Sequence, residues 1–303
     1  MIEGIQAKSI MQKKNNGDKW FGTDYNMNLY KGCCHGCIYC DSRSDCYHID
    51  NFDSVRMKEN CVNILEHDLK SKRYIGVVGI GAMSDTYNPF EEQLEITRNS
   101  LKLLAQYGFG TSIDTKSSLV TRDIDVLKKI KEHNSCIVKL TITTDDDELC
   151  KIIEPHVCVS SKRYEAIREL SANGIFTGVL LTPILPYIND TEENIRAIIN
   201  KAAEAGAKFV YAMFGVTLRE NQRDYFYQKL DEHFPGIKKK YIEKYGDSYS
   251  CTSDHANDLF KIYVSECKRL GLLYKMEDII DGYKGVNSYE QISLFEKIDY
   301  KDL

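Results

Sequence analysis

The sequence predicts an α/β protein in which parallel strands curl into a partial (β/α)6 barrel of the TIM type, followed by a mainly helical C-terminal extension. Short apolar or β-branched runs alternate about six times with longer segments of helical period. These runs are apolar on both faces, as expected for a parallel sheet that helices cover. Both features also suit a doubly wound open sheet, which is the alternative.

The six runs are predicted as strands at residues 26–30, 76–83, 110–115, 138–144, 176–182 and 209–216. The segments between them place apolar residues at i, i+3, i+4 and i+7, as in residues 124–130, which makes one apolar helix face. Gly108, Gly174 and Gly206 follow such segments. A left-handed residue there would end each helix and turn the chain into the next strand.

The composition excludes several classes of protein. A chain of 303 residues with 43% hydrophobic residues can bury one large core, which excludes a disordered or fibrous protein. A formal charge of -5 gives no global affinity for polyanions, so contact with nucleic acid would need a local basic patch. The longest mostly apolar stretch, residues 176–188, is too short to span a bilayer, and Pro183 and Pro186 interrupt it.

The cysteines indicate a reducing compartment. The chain is large and opens with Met1-Ile2-Glu3-Gly4 rather than with an apolar signal segment. Its 11 cysteines therefore favour free thiols in the cytoplasm over a secreted disulfide framework.

Four segments are predicted along the chain: an N-terminal flank over 1–22, the barrel over 23–217, the helical extension over 218–285 and a tail over 286–303. The flank contains Trp20-Phe21 and has the composition to close over one side of the barrel. The extension interleaves aromatic residues with the lysines at 238–240, a pattern suited to stacking on unpaired bases and pairing with phosphates. An amphipathic cap with a solvated lysine face is the alternative.

Polar residues follow the predicted strands, where the site of such a barrel is expected. They include Ser84-Asp85, Thr115-Lys116-Ser117 and Thr141. Helix caps and turns would explain most of them. Lys116 is different, because a cation at the mouth of a barrel can pair with an anionic ligand.

The strongest signal is a loop directly after the first strand, in which Cys33, Cys37 and Cys40 follow a Cys-x3-Cys-x2-Cys spacing. Gly32 and Gly36 can adopt positive φ, so the loop can wrap three sulfurs around three irons of a 4Fe-4S cube. The fourth iron would then be open to the amino and carboxylate groups of S-adenosylmethionine.

Two other interpretations of the loop stay open. A zinc site could take Cys46, His35 or His48 as its fourth ligand, and the thiols could simply be buried. A second iron-sulfur cluster is possible, but the remaining cysteines are too scattered in sequence to form a compact set of ligands. They are Cys136, Cys150, Cys158, Cys251 and Cys267.

With Tyr39 before the last cysteine, the loop resembles the signature of radical S-adenosylmethionine enzymes. Further motifs at 83–91, 115–117, 121–123 and 154–163 resemble the spore photoproduct lyase-like subfamily. The resemblance implies a 5'-deoxyadenosyl radical that acts on nucleic acid, as in lyase-like repair of DNA lesions, with a reductant such as flavodoxin or ferredoxin. It implies Cys33, Cys37 and Cys40 as cluster ligands and Tyr39, Ser84, Asp85, Lys116 and Thr141 as contacts of S-adenosylmethionine.

Two departures put the lyase reaction itself in doubt. Ala82 stands where the lyases carry a hydrogen-donating cysteine, and Asp41 stands where they have a tyrosine. Cys34, Cys46 and Cys158 are the thiols that could substitute for the hydrogen-donating cysteine.

The sequence indicates no catalytic residue, and RNA, a protein or a small metabolite are the alternative substrates. A non-catalytic metal-binding adaptor is the alternative to an enzyme.

The tail contains Gln291-Ile292-Ser293-Leu294-Phe295, which resembles the pentapeptide by which bacterial replication and repair proteins dock on the sliding clamp. Gln291, Leu294 and Phe295 would fill an apolar groove on that partner. Packing of Leu294 and Phe295 on the protein's own barrel is the alternative.

Overall fold

The computed structural model describes residues 2–14 and 20–285. Its strands are β1 (Glu3–Ile5), β2 (Met11–Lys13), β3 (Tyr25–Met27), β4 (Tyr30–Lys31), β5 (Arg56–Lys58), β6 (Val77–Ile80), β7 (Gly110–Thr115), β8 (Cys136–Thr141), β9 (Phe176–Leu181), β10 (Phe209–Ala212), β11 (Gly215–Thr217) and β12 (Ser250–Thr252). Its α-helices are α1 (Cys61–Ser71), α2 (Glu91–Leu94), α3 (Ile96–Gln106), α4 (Ile124–His133), α5 (Asp147–Ile153), α6 (Ser160–Ala172), α7 (Glu192–Glu204), α8 (Gln222–His233), α9 (Ile237–Tyr245), α10 (Ala256–Leu270) and α11 (Met276–Lys284).

Within the described part of the chain, the main sheet has seven strands in the order β10-β9-β8-β7-β6-β3-β2. The six strands from β3 to β10 are parallel and follow the order of the chain, while β2 pairs antiparallel with β3 at one edge. A doubly wound sheet would reverse its strand order at a switch point. The order has no such reversal, so the doubly wound alternative is wrong and the partial barrel is confirmed.

The six predicted strands correspond to the six parallel strands, and β7 matches its predicted bounds. Two predicted runs differ. The first divides between β3 in the main sheet and β4 in a small sheet of order β1-β5-β4, and the last divides between β10 in the main sheet and β11, which pairs with β12. Gly108, Gly174 and Gly206 have φ values of 73°, 75° and 86°, which confirms the predicted helix ends.

One end of the barrel is closed by apolar packing. Phe21, Phe209 and Tyr283 belong to one buried cluster with the first residues of several strands. This cluster joins Phe21 and α11 to Val77 and Phe209, the first residues of β6 and β10, while the partly buried Trp20 packs on the edge of the cluster. The opposite end, where the strands terminate, is therefore where a site can open.

The segment after the barrel strands is mainly helical, with α8 to α11 and one short strand, β12, which pairs with β11. Helix α10 packs on α7 of the barrel. Among the described helices, none has both the length and the apolar character needed to cross a bilayer.

Candidate active site

A cavity of about 290 Å³ lies at the carboxyl ends of the barrel strands. It is lined by Trp20, Cys33, His35, Cys37, Cys40, Ser42, Gly81, Ala82, Met83, Ser84, Asp85, Asp114, Thr115, Lys116, Thr141 and Leu180. All the predicted cluster ligands are in this set, together with Ser84, Asp85, Lys116 and Thr141, whereas Tyr39 is not among the lining residues. Two larger cavities, of about 570 and 430 Å³, contain none of the three predicted ligands.

The cysteine loop connects β4 to β5 and is fixed by backbone hydrogen bonds. Cys33 N donates to Phe52 O (2.8 Å), and Ile38 N donates to Ile153 O at the end of α5 (3.0 Å). Gly32 and Gly36 have φ values of 82° and 69°, as the loop prediction requires. These contacts turn three sulfurs toward one cavity.

Burial disfavours ionisation of the loop's thiols. Burial is the largest effect on all three thiols. It raises the pKa of Cys33 to about 12, and it also raises the pKa values of Cys37 and Cys40. The charge of Lys116 lowers the pKa of Cys37 and Cys40 but does not outweigh burial. Without metal these thiols are protonated at neutral pH, and metal binding would release their protons.

The donor set fits an iron-sulfur cube better than one zinc ion. All three cysteines are free and line the same cavity. Among residues 2–14 and 20–285, no three His, Cys, Asp or Glu side chains converge closely enough to hold a metal ion. Tetrahedral zinc requires such convergence, whereas each cysteine of a cube reaches a different iron.

Ser84 and Asp85 connect the loop after β6 to its neighbours. The Ser84 hydroxyl donates to the carbonyl of Gly32 in the cysteine loop. The Asp85 carboxylate accepts from Thr115 Oγ1 (2.8 Å) and from Lys116 N (2.8 Å) at the end of β7. Asp85 thus fixes the backbone from which Lys116 projects.

Lys116 and Tyr39 lie side by side near the cysteine thiols. The Lys116 ammonium is 5.7 Å from the centre of the Tyr39 ring, and Tyr39 Oη donates to Glu154. Burial lowers the pKa of Lys116, but its interactions with Cys37, once that thiol is ionised, and with Glu154 outweigh burial and raise the pKa overall. Lys116 is therefore a permanent cation beside the cavity.

A buried arginine connects Glu154 to the end of β8. Arg163 Nη1 lies 2.5 Å from Glu154 Oε2, and the same nitrogen donates to Thr141 O (2.8 Å). Arg163 Nε donates to Cys158 O (2.9 Å). These bonds fix the backbone of Thr141, whose side chain lines the cavity.

The three candidate substitutes for the missing lyase cysteine lie outside this cavity. Cys34 lines the 570 Å³ cavity and Cys158 lines the 430 Å³ cavity, while Cys46 is exposed. Ala82 lines the central cavity. Asp41 accepts hydrogen bonds from Tyr47 Oη (2.7 Å) and Arg219 Nε (3.1 Å) outside it.

Several residues of the site were missed from the sequence, among them Trp20 and Gln222. Trp20 lines the cavity, although its only signal was its place in an aromatic pair of the flank. Gln222 is fully buried, and its amide donates to Tyr39 O (3.0 Å) and to Thr217 O (2.8 Å). A lone glutamine at the start of a helix carries no signal of that role.

The aromatic residues of the extension mostly form a core. Phe226, Tyr227 and Tyr241 are buried in one cluster. Lys238 pairs with Asp231 at 2.6 Å, and Tyr249 is half exposed. The amphipathic-cap alternative therefore describes this segment better than a stacking surface. Gln291, Leu294 and Phe295 lie outside the described residues.

The chain is similar to a known family and to several proteins of diverse sources. The model of the Radical SAM superfamily matches residues 27–202. An uncharacterized protein of Methanocaldococcus jannaschii is 37% identical over 194 residues, covering 63% of this chain and 71% of that protein. One of Acidianus two-tailed virus is 26% identical over 275 residues, covering 80% and 87%.

Solved structures of spore photoproduct lyase are similar in fold. A mutant of that enzyme with bound AdoMet and dinucleoside spore photoproduct has a TM-score of 0.68 at 14% identity, covering 90% of this chain and 80% of that chain. The enzyme complexed with dinucleoside spore photoproduct gives 0.66 at 14% identity, covering 87% and 78%. The likeness thus extends beyond the barrel into the helical extension.

Proposed function

The chain belongs to the radical S-adenosylmethionine superfamily, and on this premise we propose that its central cavity is the active site of an enzyme that acts on nucleic acid. The family uses a 4Fe-4S cluster and S-adenosylmethionine. One observation supports the assignment of the site: three free thiols line a single cavity with a permanent cation, Lys116, at the carboxyl ends of the strands.

Cys33, Cys37 and Cys40 would hold the cluster. When bound and reduced, the cluster gives S-adenosylmethionine an electron, and the cofactor supplies a 5'-deoxyadenosyl radical. The chain's own residues position the reactants and exclude water. Cys33 and Cys37, which line the cavity, are themselves buried, and this limits the water that reaches them.

The remaining predicted residues would orient S-adenosylmethionine. Lys116 would pair with its carboxylate, because Asp85 fixes the Lys116 backbone and leaves the ammonium to the cavity. Ser84 and Asp85 would flank the methionyl amino group after β6, and Thr141 would hydrogen-bond the cofactor from the end of β8. Tyr39 would pack beside the adenine, held by its bond to Glu154.

A nucleic-acid substrate is proposed because the fold likeness to spore photoproduct lyase covers nine-tenths of the chain, and that enzyme is seen with a dinucleoside lesion. The chemistry must differ from a cysteine-based hydrogen transfer. All 11 cysteines are described, and only the three proposed ligands line the cavity. We therefore infer that the final hydrogen atom does not come from a protein thiol at this site.

The test is anaerobic incubation of the reconstituted enzyme with S-adenosylmethionine deuterated at C5' and separate substrates: irradiated DNA, undamaged DNA, RNA and a peptide mixture. The proposal expects nucleic acid alone to raise the formation of 5'-deoxyadenosine where hydrogen abstraction is irreversible, or to take up deuterium where 5'-deoxyadenosine returns a hydrogen atom and S-adenosylmethionine is re-formed. Stimulation by the peptide mixture alone would contradict it. Ala82→Cys should increase uptake of solvent deuterium by the product, because thiol hydrogens exchange with water.

We also propose a cytoplasmic enzyme reduced by flavodoxin or ferredoxin, since 11 free thiols suit a reducing compartment.

Docking of the tail on a sliding clamp is part of this proposal and rests on Gln291, Leu294 and Phe295. The full chain should bind a bacterial clamp, and the double variant Leu294→Ala/Phe295→Ala should not. Equal binding by both proteins would end the docking hypothesis.

A further inference from the structure

The single tryptophan of the chain, Trp20, lies on a strained turn at the wall of the active-site cavity. Phe21 has φ 45° and ψ 31°, and Gly22 also has positive φ, 58°. A left-handed conformation is costly for a bulky residue and persists only where its surroundings enforce it. The turn sends Phe21 into the closed end of the barrel and leaves Trp20 at the cavity.

Three contacts from α11 enforce this conformation. Tyr283 Oη donates to Phe21 O (2.6 Å), and Lys284 Nζ donates to Gly22 O (2.6 Å). Phe21 N donates to Met276 Sδ (3.3 Å). A whole helix, more than 250 residues away along the chain, therefore holds the turn that carries Trp20. These contacts hold Trp20 in one position, as expected for a residue of a binding site.

Trp20 adds an aromatic wall on the side of the cavity where Leu180 of β9 lies. Its ring packs edge-on against Tyr211 of β10, with ring centres 5.4 Å apart. Tyr211 is in register with Leu180 of β9, and Leu180 lines the cavity. Trp20 and Leu180 make this wall apolar, whereas Ser84, Asp85 and Lys116 make the β6–β7 wall polar.

We propose that Trp20, supported by Tyr211, is the stacking platform for the substrate's planar ring, a nucleobase. This inference rests on the proposed function and specifies which chemical group enters the cavity. Aromatic side chains bind unpaired bases through their faces, and stacking tolerates different bases. The polar wall carries the groups proposed for S-adenosylmethionine, so the apolar wall is left for the second reactant.

Trp20 fluorescence tests the platform directly, because no other tryptophan contributes to the signal. The full chain with its reconstituted cluster is titrated with thymidine, with thymidylyl-thymidine, with S-adenosylhomocysteine and with ribose 5-phosphate. Thymidine and its dinucleotide should change the emission saturably, and ribose 5-phosphate should not. The ligands carry thymine so that binding at the substrate site is distinguished from binding of adenine at the cofactor site.

Variants separate stacking from a structural role. Calorimetry should show that Trp20→Phe keeps the affinity for thymidylyl-thymidine within about 3-fold, while Trp20→Leu weakens it about 10-fold or more. Trp20→Leu should bind S-adenosylhomocysteine like the wild type and retain its iron and its far-ultraviolet circular dichroism. Tyr74→Leu, at a half-exposed aromatic residue outside the cavity, is the matched control and should bind both ligands normally.

Two outcomes would overturn the platform. In one, thymidylyl-thymidine binds Trp20→Leu as tightly as wild type. In the other, Trp20→Leu loses only S-adenosylhomocysteine, which would assign the ring to the cofactor's adenine. Either result can occur while the wild type still forms 5'-deoxyadenosine, and then the radical function survives and the platform alone fails. Absence of 5'-deoxyadenosine from the wild type would instead refute the proposed function.

Discussion

Arg163 and Glu154 form a completely buried ion pair beneath the cysteine loop, with 2.5 Å between Nη1 and Oε2. The pair joins two parts of the site, because Glu154 accepts from Tyr39 and Arg163 donates to the carbonyl of Thr141. Removing one partner of a buried pair leaves a charge that neither water nor protein compensates. The pair therefore makes the cysteine loop and the end of β8 depend on each other.

Arg163→Ala should lower the free energy of unfolding by about 3–5 kcal/mol, because it leaves the Glu154 carboxylate unpaired. Arg168→Ala, at an exposed position of the same helix, is the control and should change it by less than about 0.5 kcal/mol. Urea denaturation of the cofactor-free chain measures both. Equal losses in the two variants would show that the pair has no special role.

The same pair predicts a pH dependence. Burial alone would raise the pKa of Glu154, but the charges of Arg163 and Lys116 outweigh burial and hold that pKa below the ordinary value of 4.5. The stabilisation is therefore complete above about pH 4.5 and is lost as pH falls through the lowered pKa. The difference in unfolding free energy between wild type and Glu154→Gln should be constant near pH 7 and shrink in acid. A difference independent of pH would contradict the pairing.

Gly32 fixes the entry to the cysteine loop. Its φ is 82°, and a Cβ there would collide with Ser54 O and come within 2.7 Å of Phe52 O. Gly236 has a similar φ, 85°, but open space around it. Both alanine variants incur the left-handed cost of about 1–2 kcal/mol. Only Gly32→Ala adds a backbone collision, so it should be the less stable in urea and bind less iron. Equal stability and equal iron would refute the collision.

The repeating units of the barrel could be predicted from local pattern. Each strand is a short apolar run, and a glycine such as Gly174 marks a helix end wherever a left-handed residue is needed. The convergence of Ser84, Lys116 and Thr141 also followed from sequence, since the ends of neighbouring parallel strands meet. These features depend on a few adjacent residues or on the topology of the sheet.

The features missed from sequence depend on distant contacts. Trp20 owes its place to helix α11 and to the strained backbone of Phe21, and neither leaves a periodic pattern. The aromatic residues around Tyr241 were expected either on a stacking surface or in an amphipathic cap. Their packing in the structure shows that they form a buried core. Strands β4 and β5 are too short, at two and three residues, to give a periodic signal.

The decisive measurement is the yield of 5'-deoxyadenosine from S-adenosylmethionine under strong reductant, with the anaerobically reconstituted chain, Cys37→Ala and Cys46→Ala. Cys46 is exposed and outside the cavity, so it controls for the loss of a nearby thiol. The wild type and Cys46→Ala should bind about four irons per chain and form 5'-deoxyadenosine, whereas Cys37→Ala should lose both. A wild type that binds iron without cleaving S-adenosylmethionine, or a Cys37→Ala variant that still cleaves it, would contradict the assignment of the cavity.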